Sequence, residues 1–169
     1  KKYIDFIKWY TYIIDDVNTW DWREYIFRTA CEYGYLEVVE WLLEREPNIN
    51  ISANDEYSFR YACGNGHLEV AKLLLSIKPD IDISVEEDCS FYMACEGGHL
   101  EVVKALLEAG ADKNKASSGG STPYDIALIE EHTEIAKILQ SHGQKENHNS
   151  AVGAAAGGGG GGGRYDSLV

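Results

Sequence analysis

Three histidines and three cysteines recur at regular intervals, and these are the side chains in the sequence best suited to chemistry. They are His67, His99 and His132, and Cys31, Cys63 and Cys95. Imidazole and thiolate groups bind zinc, and both can act as bases or nucleophiles. However, the histidines are single residues about one period apart, and the sequence contains no Cys-x-x-Cys pair. This spacing favours repeated structural positions over a metal or catalytic centre.

Two other motifs also resemble chemical sites only at first sight. Glu86, Glu87 and Asp88 form a run of carboxylates, which we expect to be solvated charge on an exposed loop. The glycines at 157–163 have no preceding strand, no following helix and no Gly-Lys-Ser, so they do not form a phosphate loop. We therefore predict no enzyme activity, no catalytic residues, no metal ligands and no cofactor.

The elements that position these residues repeat with a period of 32. A shift by one period superposes each of the three cysteines on the next, together with the apolar positions around them. Within one unit, residues 57–65 have the pattern of a short helix, Gly66 ends it, and residues 68–77 have the pattern of a second helix. Such a unit cannot bury its apolar face alone, so the pattern predicts a solenoid of stacked helix pairs.

Four segments carry a resemblance to a known repeat family. They are Gly66-His67-Leu68-Glu69-Val70, Gly98-His99-Leu100-Glu101-Val102-Val103, residues 107–114 (LEAGADKN) and residues 122–127 (TPYDIA). From about Ile4 to Gly143 the chain resembles the ankyrin-repeat family, which implies an all-α solenoid of antiparallel helix pairs. The first three units lack the usual Thr-Pro-Leu-His, a variant similar to ankyrin proteins of large DNA viruses. The resemblance also implies that the histidines are turn residues whose rings bond loop backbone.

The repeats predict one elongated domain, residues 1–143, followed by a flexible tether that ends in a short peptide, residues 144–169. The domain divides into a partial N-terminal unit at 1–15, repeats at about 21–52, 53–84 and 85–116, and a capping repeat at 117–143. Polar residues such as Glu130, Glu134 and Gln140 predict that the outer face of the cap is solvated.

Charge and composition exclude several classes of protein. The net charge is −13 and there is no cluster of Lys and Arg, which argues against binding to nucleic acid. The apolar stretch at 1–15 is too short and too charged to span a bilayer, and no signal-peptide cleavage site follows it. We read Cys31, Cys63 and Cys95 as reduced packing residues and expect a cytoplasmic monomer. Cys89 stands apart, at a helix start.

The family resemblance implies a partner on the concave face, which the loop tips and first helices form. The corresponding positions are Asp21, Trp22, Glu24, Glu32 and Tyr33 in the first unit, Asn54, Glu56 and Asn65 in the second, and Glu86, Asp88 and Glu96 in the third. Their acidity predicts a basic peptide or loop as partner, with Trp22 and Tyr33 as aromatic anchors. The alternative is a solvated acidic face on which Trp22 seals the first unit.

The C-terminal peptide has its own candidate residues, Arg164, Tyr165, Ser167, Leu168 and Val169. Ser167-Leu168-Val169 resembles a class I ligand of PDZ domains, which bind such peptides as an added strand. Tyr165-Asp166-Ser167-Leu168 also resembles a tyrosine-based sorting signal, and residues 164–167 resemble a phosphoserine-reader motif. The alternative is that the glycine run and the last six residues are a linker and an engineered tag.

These patterns together predict a non-catalytic protein–protein interaction module. It would hold one partner on the concave face, with the tethered peptide available to a second. Two alternatives remain open at this point. The chain could be an engineered ankyrin binder or fusion, or it could be the regulatory ankyrin part of a longer enzyme.

Overall fold

The computed structural model describes Asp5, residues 20–84 and residues 90–142, with no side chain described at residues 20–22. Every regular element in these ranges is an α-helix. The helices are α1 (Trp20–Glu32), α2 (Leu36–Arg45), α3 (Ala53–Gly64), α4 (Leu68–Ile77), α5 (Ser90–Glu96), α6 (Leu100–Glu108), α7 (Pro123–Ile129) and α8 (residues 133–142). They pair into four units. Apart from Asp5, the predicted partial unit at 1–15 lies outside the described residues, as does the tether.

The four units stack in chain order around one apolar core. Substantial contacts join only the two helices of one unit or helices of adjacent units, which is the arrangement of a solenoid. Phe27, Phe59 and Phe91 occupy the same position in successive units, and each is buried. The first helices of adjacent units contact one another more extensively than the second helices do. The stack therefore curves towards the side of the first helices.

The second helices form where the sequence predicts them. Helices α2 and α4 have the bounds expected from the apolar spacing, because Val38, Val39 and Leu42 of α2 fall on one buried face. Helix α3 differs from the prediction, since it begins at Ala53 and opens with three left-handed residues. These are Asn54, Asp55 and Glu56, with φ of 54°, 56° and 58°. The right-handed helix then starts at the predicted position.

The turn between the two helices of each unit fixes the spacing of the stack. Gly66 has a φ of +79°, and a Cβ placed there would lie 2.5 Å from Nδ1 of His99 in the next unit. Gly34 and Gly98 meet His67 and His132 in the same way. Nε2 of His67 donates to the Glu32 carbonyl at 3.0 Å, and Nε2 of His132 donates to the Glu96 carbonyl at 2.9 Å. The predicted role of these two histidines as turn residues is confirmed.

The cysteine positions are interior packing sites. Cys31, Cys63 and Cys95 are free thiols and are fully buried. Burial raises the pKa of the Cys31 thiol to about 12, an effect that the Ser58 side chain opposes only in part. Burial also raises the pKa of the Cys63 thiol. The Cys31 and Cys63 thiols therefore stay protonated and unreactive at neutral pH. Cys89 lies outside the described residues.

The fourth unit has the exposed polar residues that the sequence predicts for a cap, and it also exposes an apolar pair. Glu130, Glu134 and Gln140 are exposed, while Leu128 and Ile129 are 51% and 64% exposed. Leu128 occupies the position at which the earlier units carry a buried cysteine. No fifth unit follows among the described residues to cover Leu128. The polar pattern of the sequence marks part of this end face, and an apolar pair occupies another part.

Candidate protein-binding face

The surface made by the first helices and the turns after them is the concave side of the stack, and we call it the inner face. Four of the eleven predicted binding residues cannot be assigned to it from side-chain geometry. Asp21 and Trp22 lie in the first turn of α1, but their side chains are outside the described residues. Glu86 and Asp88 lie outside the described residues altogether.

Six of the other seven predicted residues have side chains at or near the surface. Tyr33, Asn54, Asn65 and Glu96 are exposed, while Glu24 and Glu32 are half-buried. Asn65 also has a structural role, because its side-chain amide donates to the Glu32 carbonyl at 2.9 Å. The structure brings Glu32, Tyr33 and Asn54 together around one cavity. Glu96 belongs to the third unit and does not line that cavity.

The cavity lies on the inner face at the junction of the first and second units and has a volume of about 260 Å³. We call it the tyrosine cavity. Its walls combine aromatic, charged and polar side chains: Tyr25, Arg28, Thr29, Glu32, Tyr33, Asn54 and Tyr57. Tyr25 and Tyr33 are 62% and 59% exposed, so their rings present large apolar surfaces to solvent. Exposed aromatic rings beside a carboxylate are suited to holding a cationic side chain.

Hydrogen bonding and stacking hold Tyr57 in place in the wall of the cavity. Its hydroxyl donates to Oε2 of Glu32 at 3.1 Å, and its ring stacks on Tyr61 with centroids 4.1 Å apart. The guanidinium of Arg28 lies 5.9 Å from the Tyr57 ring centroid. Burial, followed by the hydrogen bond to Glu32, raises the pKa of Tyr57 to about 12. The hydroxyl therefore remains a donor and joins the two units across the cavity.

Glu56 is the predicted binding residue that the structure places elsewhere. It is only 6% exposed, accepts a hydrogen bond from the Ser52 hydroxyl at 2.7 Å and pairs with Nζ of Lys78 at 3.0 Å. Its Oε2 has no hydrogen-bond partner among the described residues. The prediction assumed that Glu56 lies at a solvated loop tip. In the structure, residues 54–56 are left-handed and the Glu56 carboxylate is buried. Glu56 is therefore not available on the inner face.

Sequence reasoning missed Tyr25, Arg28 and Tyr57 as members of the site. A signal for them was present, because Tyr25 and Tyr57 are separated by one period and so share one repeat position. Tyr57 and Tyr61 are also one helical turn apart on α3, which places their rings side by side. The predicted positions lie near the two ends of the first helices, and these three residues lie between those ends.

The described part of the chain also bears on metal binding and on membrane insertion. Within residues 20–84 and 90–142, no group of three or more His, Cys, Asp or Glu side chains could hold a metal ion. None of the helices described there is long and apolar enough to cross a membrane. The inner face presents tyrosine rings, carboxylates and amides to solvent.

Comparison with known families identifies the fold. A family model described as ankyrin repeats (3 copies) matches residues 61–150, and another described as ankyrin repeats (many copies) matches residues 27–75. The chain belongs to the ankyrin-repeat family. Ankyrin repeats generally mediate protein–protein interactions and are typically non-catalytic. No curated protein matches the chain.

Proposed function

We propose that this ankyrin domain is a non-catalytic module that binds a basic peptide or loop of a partner protein on its inner face. The observation that carries the proposal is the tyrosine cavity, where Tyr25 and Tyr33 are more than half exposed beside the Glu32 carboxylate. Interface anchors are enriched in tyrosine, because a rigid aromatic ring gives a large contact area at a low entropic cost.

The charge of the inner face supports a cationic partner. Asp55 and Glu96 are exposed, and Glu24 and Glu32 are half-buried, while the positive charge of Arg28 lies over the ring of Tyr57. A lysine or arginine from the partner could lie against the tyrosine rings and approach the Glu32 carboxylate. The net charge of −13 would accelerate the encounter with such a partner at low salt.

Selection of peptides from a random displayed library against the immobilised chain tests the proposal. We expect the selected peptides to be rich in Lys and Arg, with affinities that fall as ionic strength rises. Selection of neutral or acidic peptides, or an affinity independent of salt, would contradict the electrostatic part of the proposal.

Variants of the cavity locate the contact. We expect Tyr33→Ala to weaken binding of the selected peptides about tenfold or more, as for an interface anchor. Glu32→Gln retains a group that can accept the Tyr57 hydrogen bond, so it should mainly reduce the salt dependence. Ile129→Ala removes a side chain that is as exposed as Tyr33 but belongs to the fourth unit. Equal losses for Ile129→Ala and Tyr33→Ala would place the contact outside the cavity.

A second contact is proposed for the C-terminal peptide, whose residues Arg164, Tyr165, Ser167, Leu168 and Val169 lie outside the described residues. Its support is the Ser-x-Val ending, which resembles a PDZ-domain ligand. Deletion of Val169 should abolish binding to a PDZ domain that prefers this ending, and unchanged binding would remove the proposal.

The cellular location is also part of the proposal. The free buried thiols support a reducing compartment, so we propose that the protein is cytoplasmic.

A further inference from the structure

A groove lies between the second helices α2 and α4, on the opposite side of the stack from the inner face. It has a volume of about 600 Å³, and we call it the outer groove. Its apolar lining consists of Leu43, Pro47, Ile49, Ile51, Leu73 and Ile77. Ile77 is 46% exposed, whereas Ile49 is almost covered. The groove therefore has an apolar floor and at least one open apolar wall.

Two carboxylates line the same groove. Glu40 and Glu44 are both exposed and lie one helical turn apart on α2, so they project from the same side of the helix. Neither forms an ion pair within residues 20–84 and 90–142. Like charges at this spacing repel each other. The negative ends of the α2 and α4 dipoles also point towards this end of the units.

The repeat itself shows that this charge is a departure from a pattern. The second helices of the later units pair a glutamate with a lysine one turn further on, with N–O distances of 3.7, 2.7 and 2.7 Å. These pairs are Glu69–Lys72, Glu101–Lys104 and Glu134–Lys137. In α2 the equivalent positions are Glu37 and Glu40. Among these four helices, α2 is the one that carries a glutamate at the lysine position. The same helix forms the acidic side of the outer groove.

The next junction along the stack provides an internal comparison. The groove residues Leu43, Pro47, Ile49 and Ile51 recur one period later as Leu75, Pro79, Ile81 and Ile83. The other four lining positions change at the next junction: Glu40, Glu44, Leu73 and Ile77 are replaced by Lys72, Ser76, Ala105 and Ala109. The shared framework holds the units together at both junctions. The four residues that change make the first junction both more apolar and more acidic than the next one, and they are not part of that framework.

We propose that the outer groove binds a basic amphipathic helix of a partner protein. Two neighbouring helices of ten residues each make a groove about 15 Å long, which matches about three turns of a bound helix. Apolar residues spaced by three and four positions would contact Leu43, Leu73 and Ile77. Lysines or arginines on the flank of that helix would pair with Glu40 and Glu44. This surface is separate from the tyrosine cavity and could be occupied at the same time.

A designed peptide serves as the probe. It has about 14 residues, with leucines at positions i, i+3, i+4 and i+7 and with lysine, glutamine and alanine elsewhere, and it carries a fluorophore for anisotropy measurements. We expect saturable binding to the ankyrin domain and an increase in peptide helicity by circular dichroism. The control peptide has the same composition in an order that scatters the leucines around the helix. If both peptides bind equally, the contact is a general charge effect and the proposal is overturned.

Substitutions taken from the next junction test the location of binding. Glu40→Lys with Glu44→Ser should weaken binding about tenfold or more, and it also creates the glutamate–lysine spacing of the other units, so the fold should be retained. Leu73→Ala with Ile77→Ala should weaken binding to a similar extent without changing charge. Glu108→Lys reverses one exposed charge outside the groove and should have little effect. If Glu108→Lys weakens binding as much as the groove variants, the proposal is overturned.

Two further outcomes distinguish this proposal from its competitors. Tyr33→Ala should leave binding of the probe unchanged, and a loss equal to that of the groove variants would mean that the peptide binds the inner face. Sedimentation velocity of the chain alone reports self-association. A dimer that Ile77→Ala dissociates would show that a second copy, not a basic helix, occupies the groove. Unchanged monomer sedimentation for the original chain and the variant supports the proposed partner.

Discussion

The second and fourth units start their first helices in different ways, although the helices have the same place in the stack. Helix α7 begins at Pro123, and the preceding residue, Thr122, forms a capping box with Asp125 near the surface. Helix α3 begins with three left-handed residues, and its buried carboxylate, Glu56, pairs with Lys78 from the end of α4. One start has local hydrogen bonds, and the other combines a local hydrogen bond with an ion pair between residues far apart in the chain.

This difference predicts that burial, more than bond length, decides how much a polar contact contributes to stability. The Glu134–Lys137 pair of the fourth unit is shorter than the Glu56–Lys78 pair, at 2.7 Å against 3.0 Å. However, the side chains of the shorter pair are about two-thirds exposed, while Glu56 is almost completely covered. Water can replace a lost partner on the surface but cannot do so in the interior.

The largest effect is expected from Lys78→Met. It leaves Glu56 buried without its charge partner, and such a change costs about 3 kcal/mol of unfolding free energy. Urea unfolding followed by circular dichroism measures the loss. The double variant Glu56→Met with Lys78→Met removes both charges and should recover most of the stability. A loss below about 0.5 kcal/mol for the single variant would show that the pair behaves like a surface pair.

The next effect in size concerns the turns that separate the helices. Gly66→Ala forces a left-handed residue with a Cβ and also brings that Cβ into the His99 ring, so it should cost more than about 1 to 2 kcal/mol. Gly110→Ala is the matched control, since Gly110 has a φ of +92° but no neighbour within 4 Å of the added Cβ. The difference between the two variants in urea unfolding isolates the contact with His99. Equal losses would mean that only backbone strain matters.

A smaller loss is expected from Thr122→Ala, which removes the cap of α7. Loss of such a cap costs about 1 kcal/mol. The Thr122 hydroxyl and backbone hold the pKa of Asp125 below its ordinary value of 3.8. This carboxylate therefore adds stability above pH 3.8, and the contribution disappears as the pH falls through the lowered pKa. Acid titration of the melting temperature should show a smaller change below about pH 4 in the variant. An identical acid profile would contradict this role.

The smallest effect is expected from Lys137→Met. The exposed pair with Glu134 should contribute no more than about 0.5 kcal/mol, and added salt should reduce even this. Comparison with Lys78→Met in the same urea assay gives a direct test of burial. If the two lysine variants lose equal stability, the contrast between the second and fourth units is wrong.

Sequence reasoning predicted part of the inner face and did not predict the outer groove. The repeat comparison placed Glu32, Tyr33 and Asn54 on the inner face, and these residues do line one cavity. It did not predict the hydrogen bond between Tyr57 and Glu32, because that contact joins residues of two different units. The outer groove was not predicted, since it depends on how closely α2 and α4 approach in the stack.

Turn chemistry was the most predictable part of the structure. Gly66 and its equivalents adopt the left-handed conformation that their position after a short helix indicates. Glu131 adopts the same conformation with a φ of 60° at the fourth turn, although it is not glycine. In the first three turns a histidine ring of the following unit occupies the space of a Cβ. The side chain of Glu131 is exposed.

The sequence by itself determined the helix pairs, their regular period and the glycine turns, because these depend on interactions between residues close together in the chain. It also determined which positions face the core, since Phe27, Phe59 and Phe91 recur with the same spacing. The tertiary structure decided that Glu56 is buried, that three tyrosines line one cavity at the first junction and that the outer groove exists. Those features depend on the distance and rotation between neighbouring units, and packing across the whole junction sets both quantities.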